Sequence, residues 1–566
     1  MKAKIVTPIL IGLIILYFIL FFFLPLVSIG KLAFCDSEGS FIGLKNFAEY
    51  FTSPNMISSF KNSFVVSGIV TVVTFLLAFF YAFCISRIHM RSKYVLRYIS
   101  MISLFTPTML HGIALVYLFG RQGIISNVLM AWLNAKMGTS HAFPFEIYGA
   151  AGIIISEVIY TFPHAYLILS VSFAMSDYRL YEAAETMGAG NLRKFFTVTL
   201  PSVKYGTISA LTTIFILSFT DMGAPKIVGG QYNVMAVDIY KQVIGQQNFS
   251  MGATVAVLLL IPALIAFFID RLIQRRQGAT FSSKSVPYVI RRSLFPETIA
   301  AVYCWGIALC IFFVIGTSVF VSFMKFFPYD MTLTLKHYMF KYVAGDFSSY
   351  LNSLKVALGT AAAGTAVAFA AAYTAEKTKV KDFLRKVPYA LAIATLAVPG
   401  LVIGLAYILF FNSPSNPFSF IYGTLAILVL ANIIHFIAVP VMSITSSLKK
   451  QDKEYDNVAE SMGVAPVKTL FRVTLPLSLN AVMETFFYFF VNSMVTISAV
   501  IFLYGQDTKL ATIAIVSMDD AGDTASAAAM ASLILFTNMG VKIIYDIAAG
   551  MIRKKTARWQ TIQREK

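Results

Sequence analysis

Long apolar runs broken by short polar stretches organise this chain from end to end. A helix needs about 20 largely apolar residues to cross about 30 Å of hydrocarbon, and runs of that size fall near 5–29, 63–86, 97–120, 147–175, 205–225 and 251–270. A second set follows near 297–324, 354–375, 387–411, 420–446, 479–504 and 525–550. The pattern predicts an all-α polytopic membrane protein with about 12 spans in two sets of six. Lys2 and Lys4 precede the first run, as in a secretory signal. The run is too long for a signal core and no small-x-small cleavage site follows, so it reads as a retained first span.

Basic residues test this arrangement independently, because Lys and Arg collect in cytoplasmic loops. Of the 45 Lys and Arg residues, 33 fall in the N-terminus, 87–97, 177–204, 271–292, 377–386, 449–472 and the tail from 542. These segments lie on one side if twelve spans is right, so both termini are expected to be cytoplasmic. Composition agrees: of 566 residues, 58% are hydrophobic and 13% charged, and mean hydropathy is +0.75. A soluble chain of this length needs more charge to cover its surface. The net charge of +18 sets topology and does not point to a nucleic-acid partner. The stretch 271–292, with Arg275, Arg276, Arg291 and Arg292, reads as a basic cytoplasmic linker. Cys35, Cys84, Cys304 and Cys310 have no metal spacing. The last three lie in apolar runs and read as small core residues.

Two polar loops repeat one another. Glu182–Pro201 reads EAAETMGAGNLRKFFTVTLP, and Asn457–Pro476 reads NVAESMGVAPVKTLFRVTLP, aligned without gaps. Ala184, Glu185, Met187, Gly188, Phe196, Val198, Thr199, Leu200 and Pro201 recur 275 positions later. Weaker echoes pair Asn62-Ser63 with Asn352-Ser353, and Pro107 and Gly112 with Pro399 and Gly404. Parallel six-span repeats follow, related by an axis along the membrane normal, with a translocation path expected between them. Within each loop Ala183, Ala184 and Met187 favour a short amphipathic helix. The glycine ends it, and a second short helix runs to Leu-Pro, where the chain enters the next span.

The pattern Glu-Ala-Ala, three residues, Gly, nine residues, Ile-x-Leu-Pro resembles the signature of type I ABC importer permeases. The first loop fits at Glu182, Ala183, Ala184, Gly188, Val198, Leu200 and Pro201; the second at Ala459, Gly463, Val473, Leu475 and Pro476, with Asn457-Val458 departing from Glu-Ala. The resemblance implies that each loop docks into an ATPase subunit, with Glu185 and Glu460 in the contact. The partners implied are two ATPase copies, an extracytoplasmic solute-binding protein and the lipid bilayer, in a bacterial cytoplasmic (inner) membrane. It divides the chain into a first half, 1–275, with docking loop 177–205; a linker, 276–295; and a second half, 296–566, with docking loop 449–478. Because only the first loop keeps Glu-Ala-Ala, it is expected to couple more tightly. Fused two-half chains resemble the iron(III), thiamine and phosphonate branch. The stretch Phe219–Ala253 is similar to permeases for 2-aminoethylphosphonate, which makes that solute the expected cargo and iron(III) the alternative.

No Gly-x-x-x-x-Gly-Lys-Ser/Thr loop occurs, so ATP and Mg are expected on the partner ATPase. No zinc-protease or serine-hydrolase motif occurs either, and no cofactor or metal is expected in this chain. Ionisable groups inside spans cost roughly 2.5–3.5 kcal/mol each and ask for a reason. Glu157, Asp221 and Glu484 are candidates for the path, and His111, His164 and His435 also fall at helical positions. Each can instead be a paired structural group, and Glu484 can reach interfacial water. The Gly and Pro residues after Asp221 suggest a broken, outward-facing helix end. The run Asp519-Asp520 with Asp523 can meet a binding protein or simply face solvent. An ion-coupled secondary transporter, with Glu157 and Asp221 as carriers, is the main rival class and leaves the duplicated loop unexplained; a membrane scaffold or sensor that binds an ATPase without moving anything is the other.

Overall fold

The computed structural model describes residues 2–36, 38–138, 146–278, 286, 288, 290, 294–340, 347–378, 380–452 and 454–562. Among the described residues, eight helices are long and apolar enough to cross a membrane: Pro8–Ala33, Pro54–Arg87, Thr108–Met137, Ala150–Ala174, Phe249–Gln274, Pro296–Ser322, Phe347–Lys377 and Thr524–Ile552. Four bent pairs bring the total to 12 if each is one span. The fold is all-α and polytopic; a two-stranded hairpin, Met324–Phe326 with Asp330–Leu333, interrupts it. Most of the linker 276–295, including Arg291 and Arg292, lies outside the described residues, and the side chains of Arg275 and Arg276 do as well.

Two compact units form, and they divide the chain differently from its linear halves. One gathers Met1–Ile42, Lys341–Ser517 and Leu533–Lys566; the other gathers Gly43–Phe340 and Met518–Ser532. Each therefore includes the first spanning helix of the opposite half of the sequence, Pro8–Ala33 in the former and Pro296–Ser322 in the latter. In the former, Tyr407 Oη donates to the Phe21 carbonyl at 2.6 Å. In the latter, Tyr303 Oη donates to the Leu77 carbonyl at 2.9 Å and Trp305 Nε1 to Ser92 Oγ at 3.2 Å. Small residues make the close helix contacts within both units. Ser63, Ser67, Val70, Thr74 and Ala78 form the buried stripe of Pro54–Arg87, and Ser353, Ala357, Ala361, Gly364 and Ala368 that of Phe347–Lys377. A Cβ at Gly364 would stand 2.9 Å from the Phe489 ring. Without a hydrophobic drive between helices in lipid, such close backbone approach supplies the packing.

The third and ninth spans are not straight, contrary to the expectation of single helices over 97–120 and 387–411. Both break at a proline: Pro107 has φ −59° and ψ 146°, Pro399 φ −59° and ψ 149°. The preceding Thr106 and Val398 are extended, as the ring of a following proline demands. Around Pro399 the pair Asp382–Ala397 and Gly400–Phe411 bends by 106°. The glycines five residues on have a matching role. A Cβ on Gly112 would meet Ile227 at 3.0 Å, and one on Gly404 the Ala499 carbonyl at 3.0 Å. The fifth and eleventh spans end early, at Thr220 and Val495, where the chain turns extended.

The Asn-Ser echoes hold the segments that follow those ends. Asn62 Nδ2 donates to the Asn233 carbonyl (3.0 Å) while Ser63 Oγ accepts from Met235 N–H (2.8 Å). Asn352 Nδ2 donates to the Asp507 (2.8 Å) and Lys509 (3.3 Å) carbonyls, and Ser353 Oγ accepts from Ala511 N–H (2.8 Å). Each pair pins the start of a short buried helix, Met235–Tyr240 or Ala511–Asp520.

Candidate functional site

The two repeated loops are the same object built twice. Arg179–Thr186 and Glu454–Ser461 are helices of eight residues, and the glycines that end them lie at φ +72° (Gly188) and +66° (Gly463). Gly188 N–H bonds the Glu185 carbonyl (2.9 Å) and Ala189 N–H the Ala184 carbonyl (2.9 Å). In the second loop Gly463 N–H bonds Glu460 (3.0 Å) and Val464 N–H bonds Ala459 (2.9 Å). These are the two bonds of a left-handed helix C-cap, which requires a residue without a Cβ four positions after the first carbonyl. The Ala-x-x-x-Gly spacing of the motif is therefore the spacing of the cap. Ala184 is buried beneath it and Ala459 half-buried, whereas Glu182, Ala183, Glu185 and Glu460 are exposed.

The exit is equally regular. A wide π-turn, Phe195–Thr199 or Leu470–Thr474, precedes the Leu-Pro pair. Pro201 and Pro476 have no N–H to give, and the π-turn shifts the hydrogen bonding just before them, Leu200 N–H reaching back to the Phe195 carbonyl. The chain then bends into the next helix, by 66° into Lys204–Thr220 and by 75° into Leu479–Val495. Apolar side chains stand outward at matching places: Met187 and Met462 are 76% and 74% exposed, Leu192 and Val467 78% and 53%. Such exposed apolar residues on a rigid elbow suit a protein contact.

The anchors beneath the elbows differ. Tyr181 Oη donates to Thr199 Oγ1 (3.1 Å) and Lys194 pairs with Glu185 (3.0 Å) in the first. In the second, Asp456 occupies the place of Tyr181 and pairs with Lys377 at 2.7 Å, and Gln451 Nε2 donates to the Thr474 carbonyl (3.1 Å). Neither Lys377 nor its counterpart Arg87 stands out in the sequence, where a basic residue at a helix end reads as a topology signal.

The membrane carboxylates do not form one cluster. Asp221 caps the helix Gly223–Val228: its Oδ2 accepts from Ala224 N–H (3.0 Å) and its Oδ1 from Thr108 Oγ1 (3.1 Å). Glu157 is fully buried beside it. The register of 275 holds here too, since Ala150–Ala174 matches the paired helices of 425–449. It sets Asn432, which donates to Ser493 Oγ at 2.8 Å, in the place of Glu157, and Thr496 in that of Asp221. Glu484 belongs to the other unit and is exposed. His111 is buried with Ser103 Oγ (2.9 Å) and Thr106 Oγ1 (3.2 Å), His164 Nδ1 meets the Tyr160 carbonyl (3.2 Å), and His435 packs against Gly400. Among the described residues no His, Cys, Asp and Glu group could hold a metal. Cys310 is exposed, contrary to the core expectation, while Cys84 and Cys304 are buried.

The acidic run near 520 is tied down. Asp520 pairs with Lys226 (2.9 Å) and Asp523 Oδ1 accepts from Ser526 N–H (3.0 Å). Burial, reinforced by the Asp520 charge and opposed by Lys226, pushes the Asp519 carboxyl up to about 6.

Residues 75–278 and 364–554 both match the family described as binding-protein-dependent transport system inner membrane component. The ferric transport system permease protein FbpB of Actinobacillus pleuropneumoniae is 26% identical over 553 residues, covering 96% of this chain and 78% of that protein. The Fe(3+)-transport system permease protein FbpB 2 of Haemophilus influenzae is 22% identical over 523 residues, covering 90% and 93%. The spermidine/putrescine transport system permease protein PotB of Haemophilus influenzae is 24% identical over 265 residues, covering 45% of this chain and 90% of that protein. With the family matched in both halves, the chain belongs to the inner membrane components of binding-protein-dependent transport systems, as a non-enzymatic ABC importer permease with two copies of the module in one polypeptide.

Proposed function

We propose that this permease carries iron(III), delivered by an extracytoplasmic binding protein and driven by two copies of a separate ATPase. The observation that supports iron is the similarity to a ferric transport permease along 96% of the chain. The aminophosphonate expectation rested on Phe219–Ala253, and several residues of that stretch have a structural account. Asp221 caps a helix, and Asn233 and Met235 are the points held by Asn62 and Ser63. The second half holds its own segment the same way. A stretch with that task is a weak guide to cargo.

In this reading the loops 177–205 and 449–478 seat the ATPases, with Glu182, Ala183, Glu185, Gly188 and Glu460, Gly463 on the contact side. Ala184, Ala459, Leu200, Pro201, Leu475 and Pro476 shape the elbow. ATP and Mg belong to the partner ATPase, and both termini lie in the cytoplasm. The division into 1–275, 276–295 and 296–566 describes the repeat. Asp221 acts by holding the helix end at Gly223, where a Cβ would stand 2.1 Å from Thr108 Oγ1; Glu157 is buried beside it, and Glu484 serves the interface.

The test is uptake of radioactive iron(III) into proteoliposomes holding the permease, its ATPase and its binding protein. ATP-dependent uptake that excess 2-aminoethylphosphonate does not reduce is expected. Transport of the phosphonate in place of iron, or uptake that follows a proton gradient without the ATPase, would sink the proposal.

A further inference from the structure

Arg87 ends the helix Pro54–Arg87 and is only 7% exposed. A buried guanidinium demands compensation, yet among the described residues no carboxylate pairs with it. Its Nη2 donates to the Phe173 carbonyl (3.1 Å) and to Ser176 Oγ. Its flat face lies 4.1 Å from the ring of Tyr288, 5.3 Å from that of Tyr181 and 5.6 Å from that of Phe173. Aromatic faces thus take the place of a counter-ion. Tyr181 belongs to the first docking helix, Arg179–Thr186. Tyr288 comes from the segment that joins the two halves of the chain.

That segment also bonds the loop through its backbone. Tyr178 N–H donates to the Val286 carbonyl (3.0 Å), and Val286 N–H donates to Asp177 Oδ1 (3.2 Å). Asp177 Oδ1 accepts from Arg179 N–H as well (3.1 Å), at the very start of the docking helix. The Tyr288 ring stands edge-on to Tyr178 (5.3 Å) and Tyr181 (5.0 Å). Three residues of one loop, Asp177, Tyr178 and Tyr181, are therefore tied to two residues of the inter-half segment. The second loop is held otherwise. Lys377, which corresponds to Arg87 at the same spacing that relates Asn62 to Asn352, reaches Asp456 directly.

We infer that Val286 and Tyr288 clamp the first docking loop, with Tyr288 and Arg87 as its positioning residues, so that fusing the halves sets the stiffness of one ATPase handle and not the other. The docking role of the loop rests on the function proposed above; the clamp does not. Fusion in this chain then does more than fix stoichiometry, because it supplies a mechanical part that separate six-span subunits would lack.

Spin labels read the clamp without any cargo. In a Cys310→Ser background, the full chain in nanodiscs with its ATPase carries a label at Arg193→Cys in the first loop or Lys468→Cys in the second. Tyr288→Ala is expected to raise the mobile population at 193 about tenfold, leaving 468 unchanged, as loss of a desolvated cation–π contact implies. Tyr288→Phe keeps the aromatic face and should match the wild-type spectrum. Asp456→Ala should give the mirror result, mobile at 468 only. If Tyr288→Ala does not fold, Arg87→Lys keeps the charge, loses the planar stack and reads the same loop. An unchanged spectrum at 193, an equal change at both sites, or no rescue by phenylalanine would overturn the clamp. These spectra stand whether or not iron is transported, so the two proposals fail separately.

Discussion

The two repeated elbows share a backbone and differ in what holds them. Cap, π-turn and bend recur residue for residue at a register of 275. Underneath, one elbow rests on aromatic rings around Arg87 and the other on the Lys377–Asp456 ion pair. Backbone geometry is imposed by residues with no substitute: glycine for a positive φ, proline for a missing donor. Anchoring needs only a compensated cation, and two chemistries supply that. The exposed part is thus the duplicated part, and the part that faces this chain has diverged.

The sharpest way to break the comparison is to disturb what is common. Gly188→Asp and Gly463→Asp each force a side chain onto a left-handed backbone, which costs roughly 1–2 kcal/mol. Neither site has an atom within 4 Å of the added Cβ, so insertion and fold should survive. We expect each variant to lower ATP-driven uptake by about tenfold or more and the double variant to abolish it, while the ATPases still hydrolyse. Uptake measured alongside hydrolysis in proteoliposomes checks this. Wild-type transport in both single variants would remove these loops as docking elements.

The next effect should appear in one elbow only. Lys377 is 7% exposed and Asp456 32% in their side chains. Lys377→Ala leaves a carboxylate without its partner and should destabilise the protein by about 2 kcal/mol, since breaking a part-buried pair costs more than the pair contributes. Asp456→Asn should cost less, and a double-mutant cycle by thermal unfolding should show coupling of about 1 kcal/mol. The same cycle on Arg87 and Tyr181 should respond to ring removal and not to charge. Charge-dependent coupling there would erase the distinction.

Most of the fold was legible because lipid imposes a simple rule. Spans must be long and apolar, and the apolar runs located most of them closely; the run expected over 97–120 is the main miss, its long helix lying at Thr108–Met137. The exceptions were local. Pro107 and Pro399 break their spans because a proline extends the residue before it, although the same residues had already been paired as repeat echoes. Asp221 stands out in sequence because a carboxylate in a span is costly, and its neighbours Thr108 and Ala224 become visible only in three dimensions. The exchange of first helices between the compact units leaves no pattern in hydropathy. Arg87 and Tyr288 are 201 positions apart in sequence, and nothing in either segment announces that one stacks on the other.

Smaller differences should separate the elbows further. Tyr181→Phe removes only the hydroxyl that donates to Thr199, and its loss should cost about 1 kcal/mol, the usual net value of a buried neutral hydrogen bond. The ring stays over Arg87, so the cation–π contact survives and spectra at the loop should barely change.

Lys194→Ala should cost least. Its partner Glu185 is 41% exposed in its side chain, so solvent and salt screen the pair, and surface pairs of this kind give about 0.2–1 kcal/mol. Thermal unfolding at low and high salt distinguishes the two elbows here. The Lys194→Ala deficit should vanish in high salt, because exposed charges are screened over about 10 Å at 0.1 M. The deficit of Lys377→Ala should persist, because burial shields that pair from the ions. If both deficits fade together, the second anchor is a surface pair like the first loop's Glu185–Lys194, and the elbows differ less underneath than their anchors suggest.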